Sequence, residues 1–246
     1  MQTQKSRRFL TVAISCLSLA VSSSLFADSL LPGSSAPLTT LFGITGTEVA
    51  SDYQDLSAGP ITGKVGVKVL SDVADNPFAG GLTFVYEIQN TTQDLPYPFP
   101  GITYFEVSGW QGYQTVVAQS NMGYFFSPVG SSVVPGAAER SGDGNTIIFN
   151  FPPDDPGGGG EPPIFANEYG RQLIVFTDAT IWQGITGYVT TLDYESPSNA
   201  VGNPQTMTVS TLTTGNAVPD GGASSLLVAL GALGVFAAHR RRKEIR

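Results

Sequence analysis

Hydrophobic and polar residues alternate along residues 61–69, in the first half of the chain. One face of this segment carries three valines and the opposite face carries two lysines. The valines are Val65, Val67 and Val69, and the lysines are Lys64 and Lys68. An alternation with a period of two is typical of a β-strand with one buried face. The segment therefore predicts a strand whose lysines face solvent.

The same alternation returns at residues 82–89. Its apolar face is aromatic and aliphatic, and its polar face carries hydroxyl, carboxyl and amide groups. The apolar residues are Leu82, Phe84, Tyr86 and Ile88, and the polar residues are Thr83, Glu87 and Gln89. This pattern predicts a second half-buried strand, with its polar side chains on the solvent side.

Further short segments are rich in the β-branched and aromatic residues that strands favour. They are 102–108, 113–119, 146–151, 171–177, 185–193 and 205–212. Clusters of Gly, Pro, Asn and Asp separate them and predict turns. No long stretch between residues 28 and 217 shows the apolar period of a helix. The sequence therefore predicts an all-β domain, an antiparallel β-sandwich of the jelly-roll or immunoglobulin-like type.

The predicted sandwich occupies residues 28–212, and residues 213–217 are predicted to form a short linker after it. A run of Pro, Asp and Gly at 152–163 interrupts the strands. Such a low-complexity composition favours a flexible acidic loop, with a boundary between two subdomains as the alternative.

Residues 1–27 have the plan of a secretory signal peptide. Three positive charges precede an apolar stretch that ends at Ala27, just before Asp28. The charges are Lys5, Arg7 and Arg8. This plan predicts export through the Sec translocon and cleavage by signal peptidase. The alternative is an uncleaved N-terminal anchor.

An apolar segment and a basic cluster close the sequence. Residues 223–238 are 16 uncharged, mostly small or apolar residues, and the basic end occupies 239–246. A membrane-spanning helix needs about 20 apolar residues, so this predicted single transmembrane helix is short and suits a transient anchor. The basic cluster predicts a cytoplasmic stop signal. Its residues are Arg240, Arg241, Arg242 and Lys243.

A short motif, Val218-Pro219-Asp220-Gly221-Gly222, immediately precedes the apolar segment. Together the motif, the apolar segment and the basic end cover 218–246, and this region resembles the PEP-CTERM class of bacterial sorting signals in its VPDGG-type variant. Pro219-Asp220-Gly221 stands where the name-giving Pro-Glu-Pro of the family would be. The resemblance implies that an exosortase recognises and processes the chain at this motif.

The resemblance also implies a route and a destination. Proteins with such tails belong to Gram-negative-type bacteria that make extracellular polysaccharide. The chain is therefore expected to be held transiently in the cytoplasmic membrane and then to reach the cell surface or the extracellular matrix of a biofilm. Extracellular polysaccharide is the expected partner there.

The exported region, residues 28–217, is strongly acidic. It has four basic and 18 acidic residues, a formal net charge of −14, because the other eight basic residues lie in the two ends of the chain. This balance argues against binding to nucleic acid, whose phosphates are contacted by Lys and Arg. The region also contains no cysteine. Disulfides therefore cannot stabilise it, and its core must do so.

The side chains most used in catalysis are missing from the exported region. The one histidine is His239, in the basic end, and the one cysteine is Cys16, in the signal peptide. Ser-His-Asp and Cys-His sites and His- or Cys-ligated metal sites are therefore excluded there. A glycosidase needs only two carboxylates and stays open as an alternative. The prediction is that the protein is not an enzyme.

Two acidic turns are candidate Ca²⁺ sites, since this ion prefers six to eight oxygen ligands. Neither turn supplies that many ligands locally. The segment at 143–145 also has the composition of a tight turn before the strand at 146, and this is the preferred interpretation. No other cofactor is predicted. The residues are Glu139, Asp143 and Asn145 in the first turn and Asp154, Asp155 and Glu161 in the second.

Aromatic side chains in turns are candidates for contact with sugar rings. Trp110 lies in Ser108-Gly109-Trp110-Gln111-Gly112, a predicted turn, and Tyr113 follows it. Aromatic residues of alternating strands more often pack in the core, and this is the preferred interpretation; Trp110 is the best candidate for an exposed ring.

Taken together, these patterns predict an exported protein with a structural or adhesive role within exopolysaccharide. A carbohydrate-binding module is the alternative from a different class, and a carboxylate-based glycosidase is the third. Binding to the polysaccharide separates the module from a passive matrix protein. Loss of hydrolysis on mutating two facing carboxylates is required for the glycosidase.

Overall fold

A computed structural model of the 246-residue chain describes residues 28–58, 61–93, 99–122, 125–126, 132–151, 163–196 and 199–215. The predicted signal peptide and sorting tail lie outside the described residues. So does most of the predicted acidic loop, including Asp154, Asp155 and Glu161.

All regular structure in the described residues is β-strand, as the sequence predicts. The strands are β1 (Asp28–Ser29), β2 (Ser35–Ala36), β3 (Thr39–Leu41), β4 (Thr47–Ala58), β5 (Ile61–Ser71), β6 (Thr83–Asn90), β7 (Phe99–Ser108), β8 (Thr115–Ser120), β9 (Ser132–Val133), β10 (Ala137–Arg140), β11 (Thr146–Asn150), β12 (Glu168–Gly170), β13 (Gln172–Thr177), β14 (Trp182–Ser196) and β15 (Asn199–Thr214). Each of the eight predicted segments coincides with one of the longer strands.

The strands form two sheets. The first has nine strands, and its central run β4–β5–β6–β13–β8 is antiparallel throughout. Four short strands complete it: β1 and β3 pair with β8, β12 pairs with β6, and β9 pairs with β12. The second sheet has six strands in the order β15–β14–β7–β11–β10–β2, all antiparallel. Only β3–β8 and β9–β12 are parallel among the described pairs, so the first sheet is mixed.

Side chains from both sheets meet in one hydrophobic cluster, and we call the faces that build it the inner faces. Tyr86 on β6 lies against Phe105 on β7, with ring centroids 5.4 Å apart. Phe105 in turn stacks on Phe149 of β11 at 6.4 Å. Burying such side chains contributes about 1.5–3 kcal/mol each, which is how the region holds together without disulfides.

A second, smaller hydrophobic cluster covers the outer face of the nine-stranded sheet. Val85, Ile174 and Phe176 belong to it, and Ile44 and Phe78 from the connecting segments pack against it. Strand β6 is consequently buried along its whole length. The prediction that its polar face is open to solvent is wrong, because loops cover the residues that alternation assigns to water. The buried polar residues are Thr83, Glu87 and Gln89.

Strand β4 is the one long strand that the sequence pattern does not predict. It has three acidic residues and two serines among its twelve positions, and over residues 47–57, whose burial is described, Leu56 is the one buried apolar side chain. It pairs only with β5 in the described ladders, at the edge of the nine-stranded sheet. An edge strand can be polar and solvated, so it need not show the alternating apolar face by which strands are predicted.

The end of β15 also differs from the prediction. The strand continues to Thr214 and buries Thr213 and Thr214. These two residues belong to the β-domain and not to the linker predicted at 213–217.

Candidate functional site

Trp110 is buried, as the preferred interpretation of core packing expects, and the candidate sugar contact at this residue is excluded. Its side chain is 0% exposed. The indole lies edge-on to Phe84, with ring centroids 5.2 Å apart and an angle of 85° between the planes. Indole Nε1 donates a hydrogen bond to the Val107 carbonyl oxygen at 2.9 Å. A tryptophan packed and paired in this way serves the core and cannot stack on a sugar.

The backbone of the turn explains why Trp110 points inward. Gly109 has a φ of +97°, a backbone conformation that residues other than glycine rarely adopt. A Cβ there would also lie 2.5 Å from Thr213 Cγ2. The chain therefore reverses tightly against β15 and turns the indole into the inner cluster.

Tyr113 is half-buried and has a structural partner. Its hydroxyl donates a hydrogen bond to the Gly215 carbonyl oxygen at 2.9 Å. Burial raises the pKa of Tyr113, with Asp178 adding to the effect. The Tyr113 side chain thus ties the turn to the end of β15.

The turn with Asp143 and Asn145 joins β10 to β11. Asp143 Oδ1 accepts hydrogen bonds from Ser141 Oγ at 2.5 Å and from the Asn145 backbone nitrogen at 3.0 Å. Gly144 has a φ of +72°, as a tight turn requires. Asn145 Oδ1 accepts a hydrogen bond from the Gly109 backbone nitrogen at 3.2 Å. Each oxygen named here has a protein partner in the turn, which matches the preferred interpretation.

Glu139 lies on the other side of this hairpin and does not join the turn. Its Oε1 accepts a hydrogen bond from Asn150 Nδ2 at 2.7 Å. Across the described parts of the chain, no three His, Cys, Asp or Glu side chains are grouped closely enough to hold a metal ion. Within the same residues, no helix has the length and apolar character to cross a membrane. The sorting motif at 218–222 and the stop signal at 240–243 lie outside them.

The structure places an open groove of about 570 Å³ on the outer face of the six-stranded sheet. Three adjacent strands build it, β7, β11 and β10. The side chains of Phe105 and Phe149 point into the core. Because side chains alternate along a strand, the residues immediately before and after each of them face outward. The groove is lined by Tyr104, Glu106, Gly136, Ala137, Glu139, Ile148 and Asn150.

The strand register orders these side chains in rows across the groove. Glu106 lies opposite Ile148 on one side and opposite Tyr188 of β14 on the other. Ile148 in turn lies opposite Glu139. Neighbouring strands are about 4.8 Å apart, so the backbones of Glu106 and Glu139 are separated by about 10 Å. Tyr188 is 39% exposed and extends the row toward β14.

A second row lies beside the first. Tyr104 stands opposite Asn150 on β11 and opposite Thr190 on β14. The two rows therefore bring two tyrosines, two carboxylates and an amide onto one open surface. Tyrosine offers a flat apolar ring with a polar tip, and carboxylates and amides accept or donate hydrogen bonds to hydroxyl groups. Groups of these kinds can contact the faces and the hydroxyl groups of sugar rings.

Sequence reasoning missed this groove because it looked for aromatics in turns. The signal was present in the predicted strand 102–108. Phe105 and Val107 share one face of this segment, and Tyr104 and Glu106 occupy the opposite face. An aromatic residue on the solvent side of a predicted strand was the feature that could have identified the groove.

A second pocket, of about 310 Å³, lies on the outer face of the nine-stranded sheet. Lys68 at its wall pairs with Glu48 at 3.2 Å and lies 4.9 Å from the centroid of the Phe125 ring. Nearby, Glu87 is 1% exposed and accepts hydrogen bonds from the backbone nitrogens of Phe125, at 2.5 Å, and Phe126, at 3.2 Å. These charges are satisfied within the protein, and they hold the 125–126 segment on the sheet.

No family model, curated protein or solved structure matches the chain.

Proposed function

We propose that this chain is an exported, non-enzymatic protein of the bacterial cell surface or extracellular matrix. Its β-domain has a structural and adhesive role, and it adheres by binding polysaccharide in the groove of the six-stranded sheet. The observation that carries this proposal is the juxtaposition of Tyr104, Tyr188, Glu106 and Glu139 on one open sheet face. A shallow, extended surface suits a polymer, which can run across several strands.

The charges of the groove favour a neutral or amino-bearing sugar. Its described lining carries Glu106 and Glu139 and no basic side chain. The exported region as a whole has a net charge of −14. Uronic acid and sulfate groups would be repelled, whereas hydroxyl and ammonium groups can donate hydrogen bonds to the two carboxylates.

The sorting tail supplies the second part of the proposal. The motif at 218–222, the apolar segment at 223–238 and the basic end resemble an exosortase signal. The tail holds the exported chain in the cytoplasmic membrane until an exosortase cuts at the motif. The β-domain then moves to the surface or into the matrix.

The fold that fits this proposal is a β-sandwich of the jelly-roll type. Its support is the nested pairing of strands. Strand β6 pairs with β13, and the two strands β7 and β11, which both lie between β6 and β13 in the sequence, pair with each other. The two pairs belong to different sheets, as in a roll folded over on itself. A sandwich of this type presents the outward face of one sheet as a rigid platform.

Two glutamates facing one groove also keep a glycosidase as the second candidate. The test is to incubate the protein with neutral and amino-bearing polysaccharides and to measure both binding and reducing ends. Binding without hydrolysis supports the adhesive role. Hydrolysis that disappears in Glu106→Gln and Glu139→Gln would establish the glycosidase. The absence of both binding and hydrolysis would contradict a sugar-binding groove.

A further inference from the structure

Two large apolar side chains lie exposed where the described part of the chain ends. Ile181 is 47% exposed and Trp182 is 44% exposed. Trp182 pairs with Thr214 at the end of the β14–β15 ladder. The Gly215 backbone nitrogen donates a hydrogen bond to the Ile181 carbonyl oxygen at 3.0 Å. Gly215, the last described residue, therefore lies directly beside Ile181, and Thr214 lies opposite Trp182.

The chain that follows Gly215 brings this end of the domain close to a membrane. This step rests on the proposed function, in which residues 223–238 span the bilayer. Seven residues, 216–222, separate Gly215 from the start of that segment. An extended chain covers about 3.3–3.6 Å per residue, so Gly215 can be at most about 29 Å from Ala223. Tryptophan is enriched at the boundary between lipid and water, where its ring is apolar and its N–H is wet.

We propose that the β-domain rests on the outer surface of the cytoplasmic membrane through Ile181 and Trp182 while its tail is anchored. The tether is essential to this contact, because two side chains bury too little apolar surface to hold a domain on lipid by themselves. A short tether raises the effective concentration of the pair at the surface into the millimolar range. Cleavage of the tail therefore ends both attachments in one step.

The negative charge of the exported region indicates which lipid surface Ile181 and Trp182 can approach. Asp178 is exposed, four residues before Trp182, and the exported region has a net charge of −14. A strongly anionic bilayer would repel this domain. The docking surface therefore suits zwitterionic lipid such as phosphatidylcholine or phosphatidylethanolamine.

The two tryptophans of the chain make this docking measurable. The exported chain with its tail intact is inserted into phosphatidylcholine vesicles that carry brominated acyl chains, which quench nearby indoles. Trp110 is buried in the domain and serves as an internal control. The wild-type chain should lose the part of its emission that comes from Trp182, and Trp182→Phe should lose none. A long Gly/Ser insertion after Gly215 should reduce the quenching.

Tail insertion is checked in the same vesicles by adding carboxypeptidase B outside, which removes Arg246 only if the tail has not crossed. Quenching in the wild type alone, with Arg246 protected, supports the docking. Equal emission from wild type and Trp182→Phe, with Arg246 protected, overturns the docking and leaves the proposed processing intact. Loss of Arg246 overturns both, because the tail then does not span the bilayer. Cross-linking of Trp182 to a second copy without lipid quenching also overturns the docking.

Discussion

Arg140 donates a hydrogen bond from Nη2 to the carbonyl oxygen of Trp110 at 2.6 Å. The guanidinium is buried, and it makes four further hydrogen bonds with neutral oxygens. These acceptors are the carbonyl oxygens of Gly144, Leu30 and Tyr113 and the hydroxyl of Thr115. One arginine thus joins Leu30, which follows β1, to β8, the 109–114 turn and the β10–β11 hairpin. In a domain without disulfides, these hydrogen bonds link parts of the chain that no covalent cross-link connects.

Replacing Arg140 with Met should destabilise the domain strongly. The substitution keeps most of the apolar stem but leaves several buried carbonyl oxygens without donors, which costs about 1–3 kcal/mol per group. We expect a loss of at least about 3 kcal/mol in the free energy of unfolding, measured by urea denaturation. Arg171→Met is the matched control, because its one described side-chain hydrogen bond is a long 3.5 Å contact with Thr40. Equal losses for the two variants would contradict the role given to Arg140.

The two tryptophans should respond differently to substitution. Trp110→Ala removes a fully buried ring and its bond to Val107, and such changes cost about 3–5 kcal/mol. Trp182→Ala removes a half-exposed ring and should lower the free energy of unfolding of the β-domain by less than about 1 kcal/mol. Urea unfolding of both variants tests this contrast. A small loss for Trp110→Ala would mean that the turn does not pack as described.

The free energy of unfolding of the domain should depend on pH through the protonation of Glu87. Burial raises the pKa of Glu87 above its ordinary value of 4.5, although the hydrogen bonds from Phe125, Phe126 and Gln172 act in the opposite direction. The folded chain therefore holds this proton more tightly than the unfolded chain. The corresponding stability is fully present below about pH 4.5 and is lost as the pH rises through the folded-state pKa.

Glu87→Gln removes this titration and isolates its effect. From pH 4.5 to neutral pH, the free energy of unfolding of the wild type should fall relative to that of the variant. Glu48→Gln is the control of opposite sign, since hydrogen bonds from Ser51 and Lys68 lower the pKa of Glu48. The Glu48 contribution is present above pH 4.5 and is lost on acidification. A wild-type curve that rises relative to Glu87→Gln over this range would contradict the assignment.

Binding of a neutral polysaccharide should depend on the tyrosines of the groove. Tyr104→Ala and Tyr188→Ala each remove one ring from the row and should weaken binding by about 1–2 kcal/mol, or roughly 5- to 30-fold in Kd. Tyr113→Phe, on a turn outside the groove, should leave binding unchanged. Affinity electrophoresis or calorimetry with the same polymer measures all three. If Tyr104→Ala binds as tightly as wild type, the groove is not the binding surface.

Much of the fold could be predicted from alternation alone. Strand β7 shows it plainly, because Phe105 and Val107 pack in the shared cluster and Tyr104 and Glu106 line the groove. The pattern failed where a residue's surroundings are set by distant parts of the chain. Glu87 has the position of a solvent-facing residue, but the 125–126 segment and Gln172 close over it.

The candidate site was harder to predict than the strands, for a related reason. Trp110 follows a glycine in a turn-like sequence, which suggests exposure, yet its direction depends on contact with β15 about one hundred residues later. The groove likewise depends on the register that brings β10 beside β11 and β11 beside β7. Local sequence assigns faces to strands, but it does not say which strands become neighbours.

The most direct test of the whole account is the intact mass of the protein recovered from its native host, with and without the exosortase. We expect a chain that ends within or next to Val218–Gly222 only when the enzyme is present, together with any mass added by a surface anchor. When the enzyme is absent, we expect a longer chain that still carries Arg246. A mass that includes Arg246 in both strains would contradict the account, because the tail would then be a permanent anchor and not a processing signal.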